Sequence, residues 1–363
     1  MPDYKAPGIY IEDRGQGPRP IEGVSTTVVA FLGFAERGPL TPIQINSLTE
    51  FTENFGGSAQ IGNLTHAIRA FFANGGTRCF VLRVPTECAS PAEVLALLDG
   101  LDEVSMVCCP DEYSIPGMAG ALVVHCERMR YRIAVLGAPP DSNFSDLRPD
   151  DLKSAFGAYY APWITVTDPA SGAELPVHPG GHVAGAIVRN DLERGVWKAP
   201  ANLALLGAVG LTQQITDAQQ AVLNQRGINA LRYFPGKGYL IWGARTTSQD
   251  PEWKYVNVRR YLIYLEKSID QGTQWVVFEN NGPALWSSVQ QTISDFLFNE
   301  WDAGALQGTK PDDAYFVRCD RTTMTQDDID NGRLVCLVGV AVLKPAEFVI
   351  FRIGQWTANA NCS

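Results

Sequence analysis

A chain of 363 residues with 45% hydrophobic and 19% charged residues has the composition of an ordinary globular protein rather than a disordered one, and its length favours two domains. Its formal net charge of −10 disfavours binding to nucleic acid or to an anionic membrane surface through bulk charge. We find no apolar run of membrane-helix length and no export signal in the first twenty residues, so we expect synthesis in the cytoplasm.

The eight cysteines include no C-x-x-C pair and lie mostly in apolar, strand-like runs. Cytoplasmic proteins keep such thiols reduced, and buried cysteines behave as small hydrophobic residues. We therefore interpret them as reduced core thiols rather than as a disulfide or metal-binding framework.

The first twenty residues cannot fold alone. Four prolines and several glycines exclude a helix, whereas Ile9, Tyr10 and Ile11 are strong strand formers. This pattern predicts an extended arm with one short strand, and a frayed terminus is the alternative.

The segment up to residue 85 alternates strands with amphipathic helices. Ser47 and Glu50 have the spacing of a capping box, which predicts a helix start. The predicted elements are strands at 24–33 and 42–45, helices at 47–55 and 64–74, and a strand at 79–84.

From Pro85 the chain alternates helices with short apolar strands, which indicates a small α/β layer with a largely parallel sheet. Residues 168–181 are rich in proline and glycine, which predicts an exposed loop. A polar connecting helix is expected at 213–227. The other predicted elements are helices starting at 90 and spanning 118–129 and 149–156, and strands at 104–108, 132–136 and 163–166.

Residues 229–355 read as a compact α+β unit. Two helices are predicted from apolar stripes, one after Asp250-Pro251 and one after Asn281-Gly282-Pro283. Strands are expected at 239–242, 275–278, 334–342 and 347–353.

Catalytic motifs are missing from the sequence. A Walker loop fails around Gly236-Lys237, because Leu231 stands where a glycine is needed and Gly238 where Ser or Thr is needed. His178 and His182 are four residues apart, but Pro179-Gly180-Gly181 should prevent a helix that presents both imidazoles on one face. We therefore predict no catalytic residue, no cofactor-binding residue and no metal ligand.

Several motifs keep a fixed order along the chain: PGIYIED, FTENFGG and FFANGGTRCFVLRV near the start, then YFPGKGYLIWGARTTSQDPEWKYVNVRRYLIYLEKSI, FENNGPALWSSVQQTISDFL, WDAGALQG and PAEFVIFRIGQ. In this order they resemble the tail sheath proteins of contractile phage tails and phage-tail-like injection systems. The resemblance covers about the first 85 and the last 130 residues.

The resemblance implies an α+β fold with discontinuous domains. Residues 21–85 and 206–353 would form the common inner sheath domain, and 86–205 an inserted, outward-facing α/β domain. Residues 1–20 would be an extended arm and 354–363 a C-terminal tail.

The resemblance also implies a structural protein without catalytic activity. Such subunits form six-membered rings stacked helically around an inner tube, and their contraction drives the tube through a target envelope. The implied partners are other copies of the chain, the inner tube, and baseplate and terminal cap proteins, with no nucleic acid and no membrane. The particle would be a phage tail or a tail-like particle released by lysis. A baseplate-proximal or capping sheath paralogue is the alternative, and an α/β enzyme with its site in 86–205 is a more distant one.

Two sets of candidate contact residues follow. A strand without a local partner should pair with a neighbouring subunit, so the arms are predicted to act as exchanged strands with glycine hinges. The second C-terminal helix carries polar residues outside its apolar stripe, and a polar loop follows it. These residues are candidates for a contact with the tube that can form during assembly and be released during contraction. The arm strands are Ile9, Tyr10, Ile11, Phe348, Ile350 and Phe351; the hinges are Gly15, Gly17 and Gly354; the tube contacts are Gln290, Ser294, Glu300, Lys310 and Asp313.

Overall fold

The computed structural model describes residues 20–58, 61–87, 90–140, 142–144, 147, 152–169 and 171–350. The predicted arm strand Ile9–Ile11, the three hinge glycines and Phe351 lie outside the described residues. Their predicted roles therefore remain predictions.

Fourteen strands and ten α-helices form within the described residues. The strands are β1 (Val29–Gly33), β2 (Ile43–Ile45), β3 (Cys79–Arg83), β4 (Met106–Cys108), β5 (Ile133–Gly137), β6 (Gly157–Ala161), β7 (Ile164–Thr167), β8 (Glu174–Val177), β9 (Leu203–Ala204), β10 (Gly210–Leu211), β11 (Ile228–Phe234), β12 (Gly238–Ile241), β13 (Tyr315–Arg318) and β14 (Leu337–Val340). The helices are α1 (Leu48–Phe55), α2 (Leu64–Ala73), α3 (Pro91–Ala96), α4 (Met118–Met129), α5 (Gly180–Arg194), α6 (Asp217–Gln225), α7 (Val256–Gly272), α8 (Pro283–Asp302), α9 (Pro311–Ala314) and α10 (Gln326–Asp330). None of these helices is long and apolar enough to cross a membrane.

A nine-stranded sheet with the order β2-β3-β1-β4-β5-β6-β11-β12-β9 forms the centre of the molecule. Its six inner strands from β3 to β11 are parallel. At the edges each pairing is antiparallel: β2 with β3, β12 with β11, and β9 with β12. Alternate residues of β1 enter different cores, with Val29 and Phe31 on one face and Ala30 and Leu32 on the other. Because both faces are buried, these strands are continuous apolar runs rather than alternating ones.

The strand order contradicts the predicted boundaries of an inserted domain at 86–205. Strands β4, β5 and β6 come from that segment, yet they lie between β1 and β11 in the same sheet. The change of sequence pattern after Pro85 is local and does not mark a domain boundary. The pairing of parallel strands that are distant in sequence leaves no local signal, so the sequence could not show that these strands join the same sheet. Residues 86–205 therefore do not form a sheet separate from that of the flanking segments.

The predicted exposed loop at 168–181 is shorter than expected. Exposure is confined to the turn between β7 and β8 and to Glu174 and Pro176 of β8 among the described residues of this stretch, whereas α5 begins at Gly180 and is buried along most of its length. Gly181 and Gly185 face α2 so closely that an added Cβ would lie 2.2 Å from the Ala67 carbonyl oxygen and 2.5 Å from that of Phe71. A helix buried on all sides by small residues has no amphipathic stripe, which explains why the pattern did not predict it.

Two further local predictions are wrong. Residues 275–278 form no strand; a 3-10 turn at Gln274–Val276 leads instead to Phe278, which is fully exposed and has a φ of 70°. Residues 152–156 form no α-helix, and they lead into β6, which the pattern missed. Both stretches are short, and short apolar or aromatic runs do not distinguish a strand from a turn or a helix.

A third core lies in the C-terminal part of the chain, where α7 and α8 pack against the hairpin β13–β14. Tyr261 and Leu265 of α7 enter this core, whereas Val256 and Ile263 of the same helix pack against the central sheet. Helix α7 therefore joins the C-terminal unit to the sheet.

A buried ion pair reinforces this junction. Arg260 Nη1 and Nη2 of α7 donate to Asp191 Oδ1 and Oδ2 of α5 at 2.8 and 2.6 Å, and both side chains are almost fully buried. Thr26 adds a hydroxyl donor to Asp191 at 2.7 Å, and its carbonyl accepts from Arg260 at 2.9 Å. Removing one partner of such a buried pair leaves the other charge without a counter-ion, which strongly lowers the free energy of unfolding.

We expect Asp191→Ala to lower the free energy of unfolding by about 3–5 kcal/mol, because it leaves the Arg260 charge buried without a counter-ion. Chemical denaturation of the unassembled protein measures this loss. The double variant Asp191→Leu with Arg260→Met removes both charges and should lose less than the single variant. A loss below about 1 kcal/mol for Asp191→Ala would show that the pair does not hold the junction.

Candidate functional site at the C-terminal edge

The hairpin β13–β14 is a two-stranded sheet on the surface of the C-terminal unit. Within the described residues its strands pair only with each other, in a register that places Tyr315 opposite Val340 and Arg318 opposite Leu337. One face packs on the third core through Val317, and the other exposes Phe316 and Leu337, each 50% accessible. A two-stranded sheet has two open edges and is only marginally stable without further support.

An anchor at Glu347 fixes the chain after the hairpin. Arg245 donates from Nε and Nη2 to the two carboxylate oxygens of Glu347, at 2.7 and 2.6 Å. Asn224 Nδ2 and the Tyr255 hydroxyl donate to the same carboxylate at 2.9 and 3.2 Å, and Lys254 Nζ lies 3.4 Å away. Burial favours a higher pKa for Glu347, but the hydrogen bonds and charge of Arg245, helped by Asn224 and Lys254, lower the pKa below its ordinary value.

Three large apolar side chains follow this anchor. Phe348, Val349 and Ile350 are 72%, 67% and 79% exposed. The predicted strand at 347–353 is not formed in its described part, which runs to residue 350, because no strand lies beside it. Phe348 and Val349 border an open groove that Trp197 and Trp242 also line. Contiguous exposed apolar side chains of this kind mark interaction surfaces.

The residues predicted to contact a tube differ in their accessibility. Gln290 and Ser294 are half-buried on α8, while Lys310 and Asp313 are exposed at the start of α9. Glu300 is turned inward, since its carboxylate accepts the hydroxyls of Tyr261 and Tyr264 at 3.0 and 2.8 Å, and burial raises its pKa. Lys310 and Asp313 are therefore the accessible members of the predicted set.

The two histidines singled out in the sequence are buried. His178 Nε2 lies 3.1 Å from Glu112 Oε1, and its Nδ1 accepts the Gly180 amide, so the ring donates its Nε2 proton to Glu112. Burial, with the nearby His66, lowers the pKa of His182 to about 4. Within the described residues, no group of three or more His, Cys, Asp or Glu side chains could hold a metal ion. The His178–Glu112 pair has no accessible surface at which a substrate could bind.

Sequence reasoning missed Glu112, Arg245 and the role of Glu347. Arg245 and Glu347 are separated by about one hundred residues. A contact between residues so far apart gives no signal in a single sequence. Only the folded structure, in which the two side chains meet, shows that they act together.

Two family models match this chain. The phage tail sheath protein central domain matches residues 89–247, and the phage tail sheath C-terminal domain matches residues 248–355, so that together they cover more than half of the chain. The chain belongs to the phage tail sheath family. In this family's division, Arg245 belongs to the central domain and Glu347 to the C-terminal domain, so the anchor joins the two.

Solved structures resemble this sheath chain along nearly its whole length. A chain in the sixfold-symmetrised baseplate of the anti-feeding prophage is 32% identical, with a TM-score of 0.82, over 98% of this chain and 100% of that one. A chain in the contracted sheath complex of the extracellular contractile injection system PVC is 30% identical, with a TM-score of 0.84, over 98% of this chain and 99% of that one.

The tail sheath protein of Vibrio phage KVP40 is 28% identical over 185 residues, which are 50% of this chain and only 27% of that longer protein.

We expect Glu347→Gln to loosen the root of the exposed segment while the sheath fold is kept. Loss of the charged acceptor weakens the hydrogen bonds from Arg245, so cleavage by chymotrypsin after Phe348 should become about tenfold faster. Limited proteolysis followed by mass spectrometry measures this rate. Glu252→Gln, the same change at an exposed position, is the matched control. Equal cleavage rates in both variants would contradict the anchor.

Proposed function

We propose that this protein is the structural subunit of a contractile sheath, assembled as six-membered rings stacked helically around an inner tube. The observation that carries the proposal is the coexistence, in one chain, of an anchored segment exposing Phe348, Val349 and Ile350 and a hairpin with two open edges. The likeness to a contracted sheath and to a sixfold baseplate supports it. Contraction of the sleeve would drive the tube through a target envelope.

Neighbouring subunits are connected by exchanged strands in this proposal. Ile9–Ile11 of one subunit and Phe348–Phe351 of another would pair with the open edges of a hairpin β13–β14 that belongs to neither. Such pairing satisfies backbone N–H and C=O groups that otherwise depend on water, and it buries apolar side chains. Gly15, Gly17 and Gly354 would act as hinges, so that subunit bodies rotate while the strand pairs persist.

The free energy for contraction would be stored at assembly. We assign no catalytic step to the chain, and the buried His178–Glu112 pair has no access for a substrate. A sleeve polymerised in a metastable extended state is preserved by a barrier, and small free-energy differences per subunit add over many subunits. A trigger at the baseplate would release it.

The other partners follow from this role. The inner tube would contact the exposed residues Lys310 and Asp313, because a polar contact can be released during contraction. Baseplate and terminal cap proteins would meet the two ends of the sleeve. The exposed turn between β7 and β8 would face outward. The protein would be made in the cytoplasm and leave the cell by lysis, in a phage tail or a tail-like particle.

A baseplate-proximal sheath paralogue is the second candidate. The likeness to a chain of the anti-feeding prophage baseplate favours it. The two candidates differ in assembly, because a main sheath subunit polymerises into long cylinders and a baseplate-proximal one stops at a ring. Electron microscopy of the protein with its tube protein distinguishes them.

Deleting Met1–Gly15 should leave a folded, soluble monomer that forms no cylinders, because the deletion removes the exchanged strand and leaves the three cores intact. Tyr10→Pro should act in the same direction, since proline lacks the amide hydrogen that donates to a strand partner. Tyr10→Phe keeps that amide and is the matched control. Negative-stain microscopy and the melting transition are the measurements. Contractile cylinders built by the deletion variant would refute strand exchange through this arm.

Reversing the charge at Asp313 should reduce co-assembly with the tube protein without changing the fold, because this side chain is exposed at the start of α9. Glu300→Lys is unsuitable for this test, since it would break the hydrogen bonds from Tyr261 and Tyr264. Glu279→Lys, an exposed reversal in the α7–α8 connection, is the control for net charge. Co-sedimentation with the tube measures the effect, and equal recovery of both variants would exclude the contact.

A further inference from the structure

Cys319 and Cys336 face each other across the hairpin β13–β14. The antiparallel register places Arg318 opposite Leu337, so the next residues outward along the two strands are these two cysteines. Cys319 is buried and Cys336 is half-buried, both carry free thiols, and each thiol lies close enough to influence the pKa of the other.

The position of the pair, one step beyond the last pair of the ladder, favours a covalent link. The Ala341 amide donates to the Ala314 carbonyl, which makes residues 314 and 341 a hydrogen-bonded pair in the same register. Bonded and non-bonded pairs alternate along an antiparallel ladder, so Cys319 and Cys336 form a non-bonded pair. Cα atoms in such pairs lie about 4.5 Å apart, within the span of roughly 4.4–6.8 Å that a disulfide bridges.

We propose that Cys319 and Cys336 form a reversible disulfide that closes the hairpin β13–β14, and the functional meaning of this link rests on the proposed role of the hairpin as the acceptor of neighbouring arms. The oxidant is a low-molecular-weight disulfide. The Cys336 thiolate, the more accessible of the two, attacks one of its sulfur atoms, forms a mixed disulfide and releases one small thiolate. The Cys319 thiolate then attacks the Cys336 sulfur and expels the second. Two protons leave the protein, and two electrons pass to the small disulfide.

The buried surroundings of the two thiols slow their oxidation. Burial raises the pKa of both thiols, that of Cys336 to about 12, so little thiolate exists at neutral pH and the first attack is slow. A reducing cytoplasm maintains the dithiol, whereas an oxidising medium outside the cell favours the disulfide. The link would therefore form after a particle has left the cell.

The disulfide fixes the pairing register of the hairpin. Closing the loop between residues 319 and 336 removes open states in which β13 and β14 separate. Both outer edges then keep the alignment on which arm strands paired during assembly depend. A sheath whose subunits are oxidised after assembly should accordingly lose its arm strands less readily than a reduced one.

The test uses the full chain, unassembled, incubated with oxidised glutathione or with dithiothreitol and then alkylated. Trypsin cleaves after Arg318, Arg321 and Arg333, so the two cysteines fall on separate peptides. We expect a linked pair of these peptides that dithiothreitol separates, and hydrogen exchange across 315–340 at least about tenfold slower in the oxidised chain. Cys336→Ser, a near-isosteric change at the more accessible position, should show neither effect.

Two results would overturn the proposal: recovery of both cysteines as alkylated thiols after oxidation, or a lasting glutathione adduct on Cys336 without the linked peptides. Electron microscopy of the same samples, mixed with the tube protein, tests the assembly role independently of the disulfide. Linked peptides without cylinders would refute the sheath role and keep the disulfide. Cylinders without linked peptides would refute the disulfide and keep the sheath.

Discussion

The backbone groups along the outer edges of the hairpin β13–β14 set the constraint on which the proposed assembly depends. Each strand has four residues and pairs on one side only within the described part of the chain. The third core supports one face of the hairpin through Val317, yet it cannot supply partners for edge amides and carbonyls, which point along the sheet. An added strand would satisfy those groups and place its own side chains beside the exposed Phe316 and Leu337. In the proposed assembly the same edges would connect neighbouring subunits.

The rest of the molecule holds this surface rigidly in place. Helix α7 belongs to two cores, and the buried pair Arg260–Asp191 ties it to α5. Glu347, bound by Arg245, connects the end of the C-terminal domain to the central domain across the family's boundary. Both ion pairs link the two domains, so the body should move as one unit. Movement between subunits is then left to the segments outside it.

The sequence predicted those elements whose signal is local. Helices α7 and α8 are long and carry apolar stripes, and α1 begins at Ser47, whose hydroxyl accepts the Glu50 amide as the capping spacing indicated. The Glu50 carboxylate, however, binds the Asn46 amide rather than that of Ser47. The buried helix α5 was missed because small residues on every side give no stripe. The strand order, which places β4 beside β1, was missed because distant parallel pairing depends on the whole chain.

For the functional site, local sequence pattern indicated the C-terminal segment but not the anchor that precedes it. Phe348 and Ile350 are visible as strand formers with no local partner. The anchoring role of Glu347 depends on Arg245, Asn224 and Tyr255, which the fold brings together from three separate elements and loops. Glu300 shows the opposite case, since its position on α8 indicated a surface charge, whereas the two tyrosines of α7 turn it inward.

The most direct test of the account is a helical cryo-electron microscopy reconstruction of cylinders assembled from this protein. It should trace Ile9–Ile11 and Phe348–Phe351 as strands hydrogen-bonded to the edges of hairpins β13–β14 that belong to other subunits. Arms that fold back on their own hairpin, or hairpin edges that stay unpaired in an intact cylinder, would contradict it.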